Sequence, residues 1–569
     1  MSDLDNLPER DRERLADSWA GVFYRDFFSR VDESLFEVLY SDCPSRPNVP
    51  VNQLVAFEAL KAGHGWSDSE AYDAVCYNVQ VRYAVGLRSL SAGSFSLRTV
   101  YNFRRALAEH MATTGENLFE EVFKQVTDEQ LAAYELRSER LRMDSTQIAS
   151  NIRDMSRLQL LVAVLQRVHR MMTDADQEQY AEEFAEYTHG TAQQYSYHLK
   201  GDEPRQHLDR IGRLMLRLVR DLEADYGTRD EYCILRRVFT EQFVIGGRSM
   251  VLRRPDEDLS AQNLQSPDDP EATYRRKGPR GYRGYVANLT ETCDEDNDVQ
   301  LIVAVEVQPN SADDAAMLAG SVDELARRTE VRQMFTDGGY NSREVDTALR
   351  QHGIDQYQTA IRGRSLDSGP LGREDFDWDT DGEGVPTAVT CPAGHMAAIQ
   401  MSKKANRFVA SFDETQCSSC SVAAECPAKR LKRKPIRVLR ITQQQVDAAR
   451  RVHRSQELQR SRKNPRTAVE AAVWSIVSCF PHDKVPVRGH PRVATYVIAT
   501  AVMANVRRLL RARGLREGDG STTRSQLADL CPLPLLQAIR HIRRYLVRLS
   551  EVAFHHGIPP GRSPRPLPC

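Results

Sequence analysis

The spacing of hydrophobic side chains changes period several times along the chain, and each change marks an element boundary. Trp19, Val22, Phe23, Phe27, Phe28 and Val31 recur at helical intervals, so residues 1–45 predict an N-terminal helical segment closed by Pro44 and Pro47. Short amphipathic stretches follow from 51 to about 123, punctuated by Gly63, Gly65 and Gly86 and opened at one point by a capping-box pattern, Ser67-Asp-Ser-Glu70. They predict an all-α module over 46–135. Around Asp144 the period drops to two, which predicts a short strand over 140–148. Helical spacing returns over 151–250, with Leu158, Leu161, Leu165, Val168 and Met172 on one face and Ile211, Leu214, Leu218 and Leu222 on another. An acidic, proline-containing linker carries this helical insertion to 274. Strand signals at 284–289 and 299–307, a helix at 312–328 and a strand at 331–335 then form a β-β-α-β sequence. Asp337 stands just past its last strand, and 356–361 is a further short strand.

These elements predict a helix-rich, mixed α/β chain. The sheet-forming core falls in two parts, 136–150 and 275–365, separated by the helical insertion. A cysteine-rich insertion occupies 383–430, core helices 440–515 and a helical tail 516–569. At 569 residues the chain is too long for one core, since domains average roughly 150 residues. No apolar run approaches the ~20 residues needed to span a bilayer, and the first residues, MSDLDNLPERDRERL, carry no secretory pattern. The expectation is a soluble, cytoplasmic protein without a membrane partner.

Charge alters the picture through its distribution. The formal net charge of −2 gives no global attraction to nucleic acid, but acids gather at 255–258, 268–269 and 294–298 while bases gather at 427–466 and 537–548. Lys429, Arg430, Lys432 and Arg433, followed by Lys463 and Arg466, are placed to neutralise phosphates. The stretch 94–105 presents Arg98, Arg104 and Arg105 after a small polar start, a pattern shared by a helix-turn-helix DNA reader and by a plain structural helix pair.

The eleven cysteines are an odd number, mostly scattered, which is not a disulfide framework. Four cluster: Cys391-Pro-Ala-Gly-His395, Cys417-Ser-Ser-Cys420 and Cys426. Four thiolates close a tetrahedral site, so Cys391, Cys417, Cys420 and Cys426 predict a structural Zn²⁺. His395 is a substitute for Cys391, and a reduced, unliganded set is the plain alternative. Asp144 and Asp337 at strands and Glu470 in a helix offer three hard oxygen donors of the kind that suit Mg²⁺ or Mn²⁺. A pair of such ions, ~3.5–4 Å apart, would serve in-line displacement at phosphorus.

Read in order, Asp144-Ser-Thr, Thr336-Asp-Gly-Gly-Tyr-Asn-Ser342, Arg466-x3-Glu470, Arg488-Gly-His and Ala504-Asn-Val-Arg-Arg508 resemble the DDE transposases of bacterial insertion sequences, closest to the four-like and five-like groups. The helical stretch from Val51 to Arg105 is similar to the N-terminal domain common among them. The resemblance implies an RNase H-like catalytic core with Asp144, Asp337 and Glu470 as the metal-binding catalytic triad. It also implies metal-dependent cleavage and strand transfer of DNA, with terminal inverted repeats and target DNA as partners, and a homodimer when active. Arg488 joins the DNA-binding set on the same basis. Two departures stand out. Family members often carry Tyr three residues before the Arg and Lys seven after the Glu, where this chain has Lys463 and Val477. Glu457 is a second candidate for the third acid. A nuclease of the same fold, or an inactive or domesticated zinc-containing DNA-binding protein, is the competing reading.

Overall fold

Ser18 shows why the N-terminal segment is not one helix. Its hydroxyl accepts a hydrogen bond from the Ala20 amide at 3.2 Å and caps a new helix, Trp19–Asp26, just after Glu9–Ala16 has ended. Two 3₁₀ turns, Phe28–Arg30 and Glu33–Leu39, complete the segment. The predicted continuous helix over 1–45 is therefore corrected to a series of short ones. Their aromatic side chains enter the same hydrophobic core as the module that follows, so the segment is not a separate unit. The computed structural model describes residues 3–516 apart from 41–48, 91–94, 198, 200–202, 247–250, 360–370, 383, 403–406 and 461–464. Most of the predicted tail, 517–569, lies outside the described residues.

In the N-terminal module the long helices are α1 (Val51–His64), α2 (Leu97–Thr114) and α3 (Leu118–Ala133). The expected capping box forms at Ser67 and Glu70, whose side chains each bond the other's backbone amide. Gly65 ends α1 in the left-handed conformation, φ 65°, at the position where a Cβ would cost most.

The central sheet is built from β1 (Arg140–Ala149), β2 (Arg280–Thr292), β3 (Ile302–Pro309), β4 (Gln333–Thr336) and β5 (Asp355–Gln358). β2 runs antiparallel to both β1 and β3, whereas β4 and β5 are added parallel to β1 on its other side. The two parallel connections are the helices α4 (Asp314–Arg328) and α5 (Arg343–Gln351), as crossovers between parallel strands require. Part of the predicted linker is instead an edge strand, Thr273–Lys277, paired with the start of β2. From Gly284 onward β2 is buried at every position, the pattern of a strand covered on both faces.

Three C-terminal helices complete the core: α6 (Gln443–Arg460), α7 (Val469–Val477) and α8 (His490–Arg516). The α8 helix lies against β3 and α1, and Asn505 fastens it to the sheet. That side chain accepts from the Ile302 amide at 2.9 Å and donates to the Ile302 carbonyl at 2.8 Å. Among the described residues one helix is long and apolar enough to cross a membrane, within α8, and 83% of its apolar window is buried inside the molecule.

A buried ionic bridge ties these layers together. Arg142 on β1 and Glu291 on β2 are direct cross-strand partners, and the Arg142 guanidinium donates to the Glu291 carboxylate. Arg508 on α8 reaches the other oxygen of Glu291 at 3.2 Å and the Gln300 carbonyl at 3.0 Å. Arg142 also donates to the Pro465 carbonyl at 2.7 Å, just ahead of α7.

The helical insertion has its own hydrophobic core, with Leu161, Leu165, Met215, Leu218 and Tyr232 at its centre. The cysteine-rich insertion is larger than the sequence suggests. It belongs to a six-stranded antiparallel sheet running from Asp377 to Thr442, packed around Phe376, Trp378, Val389, Phe408, Phe412 and Leu439.

The bridge gives a test of this architecture. Glu291→Gln leaves the buried Arg142 and the half-buried Arg508 guanidinium groups facing a neutral amide, and removing one partner of a buried ion pair typically costs about 3–5 kcal/mol. A loss of that size is expected in urea denaturation followed at the sheet. A denaturation curve unchanged from wild type would mean that the bridge is not holding the layers.

Candidate active site

Register brings the first two acids together. β1 and β4 are parallel neighbours whose last matched pair is Arg142 opposite Phe335, and Asp144 on β1 and Asp337, one residue past the end of β4, each follow that pair by two residues. Both stand where the parallel pairing ends, the position at which open α/β sheets carry functional groups. The Asp337 carboxylate is fixed by its own loop. Its Oδ1 accepts from the Gly339 amide at 2.7 Å, and a Cβ on Gly339 would lie 2.9 Å from that oxygen, so glycine permits the turn. Asp144 Oδ1 accepts from the Ser145 amide at 3.0 Å.

Tyr340 forms the floor behind the two carboxylates. It is fully buried, and its hydroxyl donates to Asn288 Oδ1 at 2.7 Å on β2. Burial raises its phenol pKa well above the usual range; the negative charges of Asp144, Asp314 and Asp337 act in the same direction, while a hydrogen bond to Ser145 opposes them. One phenol thus senses both candidate acids. Gln356 on β5 locks the loop by donating to Thr336 Oγ1 at 3.0 Å and to the Tyr340 carbonyl at 2.9 Å.

Glu470 lies in the first turn of α7, exposed, on a helix that packs against β1 and β2. Arg142, two residues before Asp144, reaches the carbonyl of Pro465 and so links the strand of the first acid to the approach of α7. Glu457, the alternative third acid, stands on α6 beside Tyr357, whose phenol its charge helps to push up after burial and Asp355. Among the described residues there is no group of three or more His, Cys, Asp or Glu side chains that could hold a metal ion. The register thus relates the first two acids, and Glu470 is placed on the helix that packs against their strands.

The cysteines converge on one small pocket. Cys391, Cys417, Cys420 and Cys426 line it together with His395 and Arg437. Cys391 opens a tight turn in which the His395 amide donates to its Sγ at 3.4 Å and Gly394 takes φ 84°. Burial raises the Cys417 pKa; Arg437 opposes this, and the other three sulfur atoms reinforce it. The four sulfurs are neighbours without forming a metal-ready group.

The basic residues divide. Arg98 and Arg105 are exposed on α2, whereas Arg104 is held by Glu58 at 2.7 Å and Asp68 at 2.8 Å. Lys429, Arg430, Lys432 and Arg433 are exposed on a hairpin at the edge of the antiparallel sheet. Arg488 is exposed and donates to the Asn151 carbonyl at 2.7 Å. Lys463 and the Arg466 side chain lie outside the described residues. Sequence reasoning missed Arg142 and Glu291, although a charged pair at inward strand positions is the signal that would have found them.

Comparison with known proteins adds one match. Residues 390–510 fit the family model described as the transposase DDE domain, a stretch that begins in the antiparallel sheet and takes in α6, α7 and most of α8. No curated protein and no solved structure matches the chain. The match supports an insertion-sequence DDE transposase, from a family of enzymes that act on DNA and generally use a divalent metal.

Proposed function

We propose that the chain catalyses metal-dependent cleavage and strand transfer of the DNA of an insertion sequence, with Asp144, Asp337 and Glu470 as its catalytic acids. The observation that carries this reading is the parallel register of β1 and β4, whose last matched pair is followed two residues later by Asp144 on one strand and Asp337 after the other. The strand order, two antiparallel partners on one side of β1 and parallel strands on the other, supports an RNase H-like catalytic core. By donor chemistry the two carboxylates fit Mg²⁺ or Mn²⁺, with Glu470 as the proposed third ligand. Divalent ions there would supply positive charge to the attacking and leaving oxygens of an in-line displacement.

The chain's own residues prepare that chemistry. The Gly339 amide holds the Asp337 carboxylate in one orientation, and the buried Tyr340–Asn288 pair closes the floor beneath the acids. DNA is proposed to run across the exposed Arg98 and Arg105 of α2, past Arg488, and over the basic hairpin of Lys429, Arg430, Lys432 and Arg433. Lys463 and Arg466 extend the same set in sequence. A substrate with two ends is best served by a homodimer. The shared cysteine pocket and the amide bond to Cys391 Sγ support a structural Zn²⁺ held by Cys391, Cys417, Cys420 and Cys426.

With Mg²⁺ and DNA carrying the inverted repeats that flank the gene, wild-type protein is expected to release 3′-hydroxyl ends and join them to target DNA. Asp144→Asn, Asp337→Asn and Glu470→Gln should each abolish release while DNA binding persists. Normal cutting by Asp337→Asn would refute the triad, and cutting without joining would favour a nuclease. For zinc, elemental analysis should give about one ion per chain, and a Cys417→Ser/Cys420→Ser protein that retained its full zinc content would refute the site.

A further inference from the structure

A cleft of about 520 Å³ lies between the N-terminal module and the catalytic core, in the size range of small-ligand sites. α2 and the start of α3 form one wall, and the segment from Pro486 to Tyr496 forms the other. Asn151, at its rim, is seven residues beyond Asp144 along the chain, on the order of 20 Å for extended backbone.

Two polar groups inside this cleft lack a partner among the described residues. Tyr496 is 4% exposed and Asn117 9% exposed, and neither the Tyr496 hydroxyl nor the Asn117 Nδ2 has a hydrogen-bond partner among the described residues. Asn117 Oδ1 is already engaged, accepting from the Phe119 amide as the cap of α3. Native interiors rarely leave such groups unmatched, and an unmatched pair lining a cleft points to a ligand that supplies the missing atoms. The Asn117 amide can only donate, whereas the Tyr496 hydroxyl can donate or accept.

The rest of the lining narrows the ligand class. Tyr101 lines the cleft and is 48% exposed, with the Arg104 guanidinium 5.8 Å from its ring centroid. The two acids of the lining, Glu58 and Asp68, are already matched by Lys61 and Arg104. Arg488, loosely paired with Asp268 at 3.8 Å, and Arg492 add positive charge; Arg492 is exposed and makes no ion pair with a described residue. The cleft thus offers a half-exposed aromatic ring, buried hydrogen-bonding groups and, in Arg492, a cation without an acidic partner among the described residues.

We infer that it binds one unpaired nucleotide of a DNA strand, with the base against Tyr101, the base edge meeting Tyr496 and Asn117, and the flanking phosphates at Arg488 and Arg492. Aromatic stacking combined with cations along the backbone is the general chemistry of single-strand binding. A strand is favoured over a free nucleotide because Arg98 and Arg105 continue the cationic surface along the helix that carries Tyr101. A fully paired duplex cannot present a base edge to a cleft of this kind. The choice of DNA rests on the function proposed above, but the test is one of binding alone.

The experiment uses the full chain without divalent metal and a short fluorescein-labelled single-stranded oligonucleotide, read by anisotropy. The blunt duplex of the same sequence and free thymidine monophosphate are the comparison arms. Single strand should bind more tightly than duplex. Tyr101→Ala should weaken it about tenfold, and Arg492→Gln should weaken it several-fold and reduce the salt slope by about one. Tyr496→Phe, which removes one unpartnered oxygen, should weaken binding without lowering the thermal midpoint. Wild-type single-strand affinity in all three variants would overturn the proposal, even if Asp337→Asn had abolished cleavage. Saturable binding of thymidine monophosphate, read by calorimetry, with no binding of the oligonucleotide would overturn the assignment to a strand.

Discussion

Glu291 is 1% exposed and accepts hydrogen bonds from two guanidinium groups, one from the strand beside it and one from the long C-terminal helix. A lone carboxylate at that depth would be neutralised or expelled; flanked by Arg142 and Arg508 it stays and dictates where each of them must be. The consequences reach the candidate active site directly. Arg142 is two residues from Asp144, and its other hydrogen bond goes to the chain entering the Glu470 helix. Strand, helix and the approach to the third acid are therefore referred to one buried charge, which has few geometries in which all its bonds are met.

The same reasoning shows what the sequence could reveal. The strand positions of Asp144 and Asp337 were legible because strand periodicity is local, and a residue just past a strand needs no tertiary information to be located. Their alignment was not legible, since register between two parallel strands separated by a long insertion is fixed by packing and by partners such as Arg142 and Glu291. Helices with a wide apolar stripe, such as those around Leu161 and Leu218, were read correctly. The N-terminal segment was read as one helix because its apolar positions from Trp19 to Val31 keep helical intervals, which the Ser18 cap and the 3₁₀ turns interrupt without altering the spacing.

The antiparallel sheet around the cysteines was the largest omission. Its strands are short, four to seven residues apart from the two-residue edge pair, and alternate buried with exposed positions. Segments of that length give a weak period-two signal that cysteine spacing and basic runs easily mask. The cysteines gather at one end of this sheet, so whatever they hold is positioned by strands the pattern alone did not disclose.

The central sheet also carries a kinetic burden. β1 must pair with β2 across an insertion of about 130 residues, and a closure that long is entropically slow when the intervening chain is loose. The insertion has its own hydrophobic core. If that core condenses early, it draws the ends of β1 and β2 toward each other before they pair, so a unit remote from the acids sets the pace at which their strands are assembled.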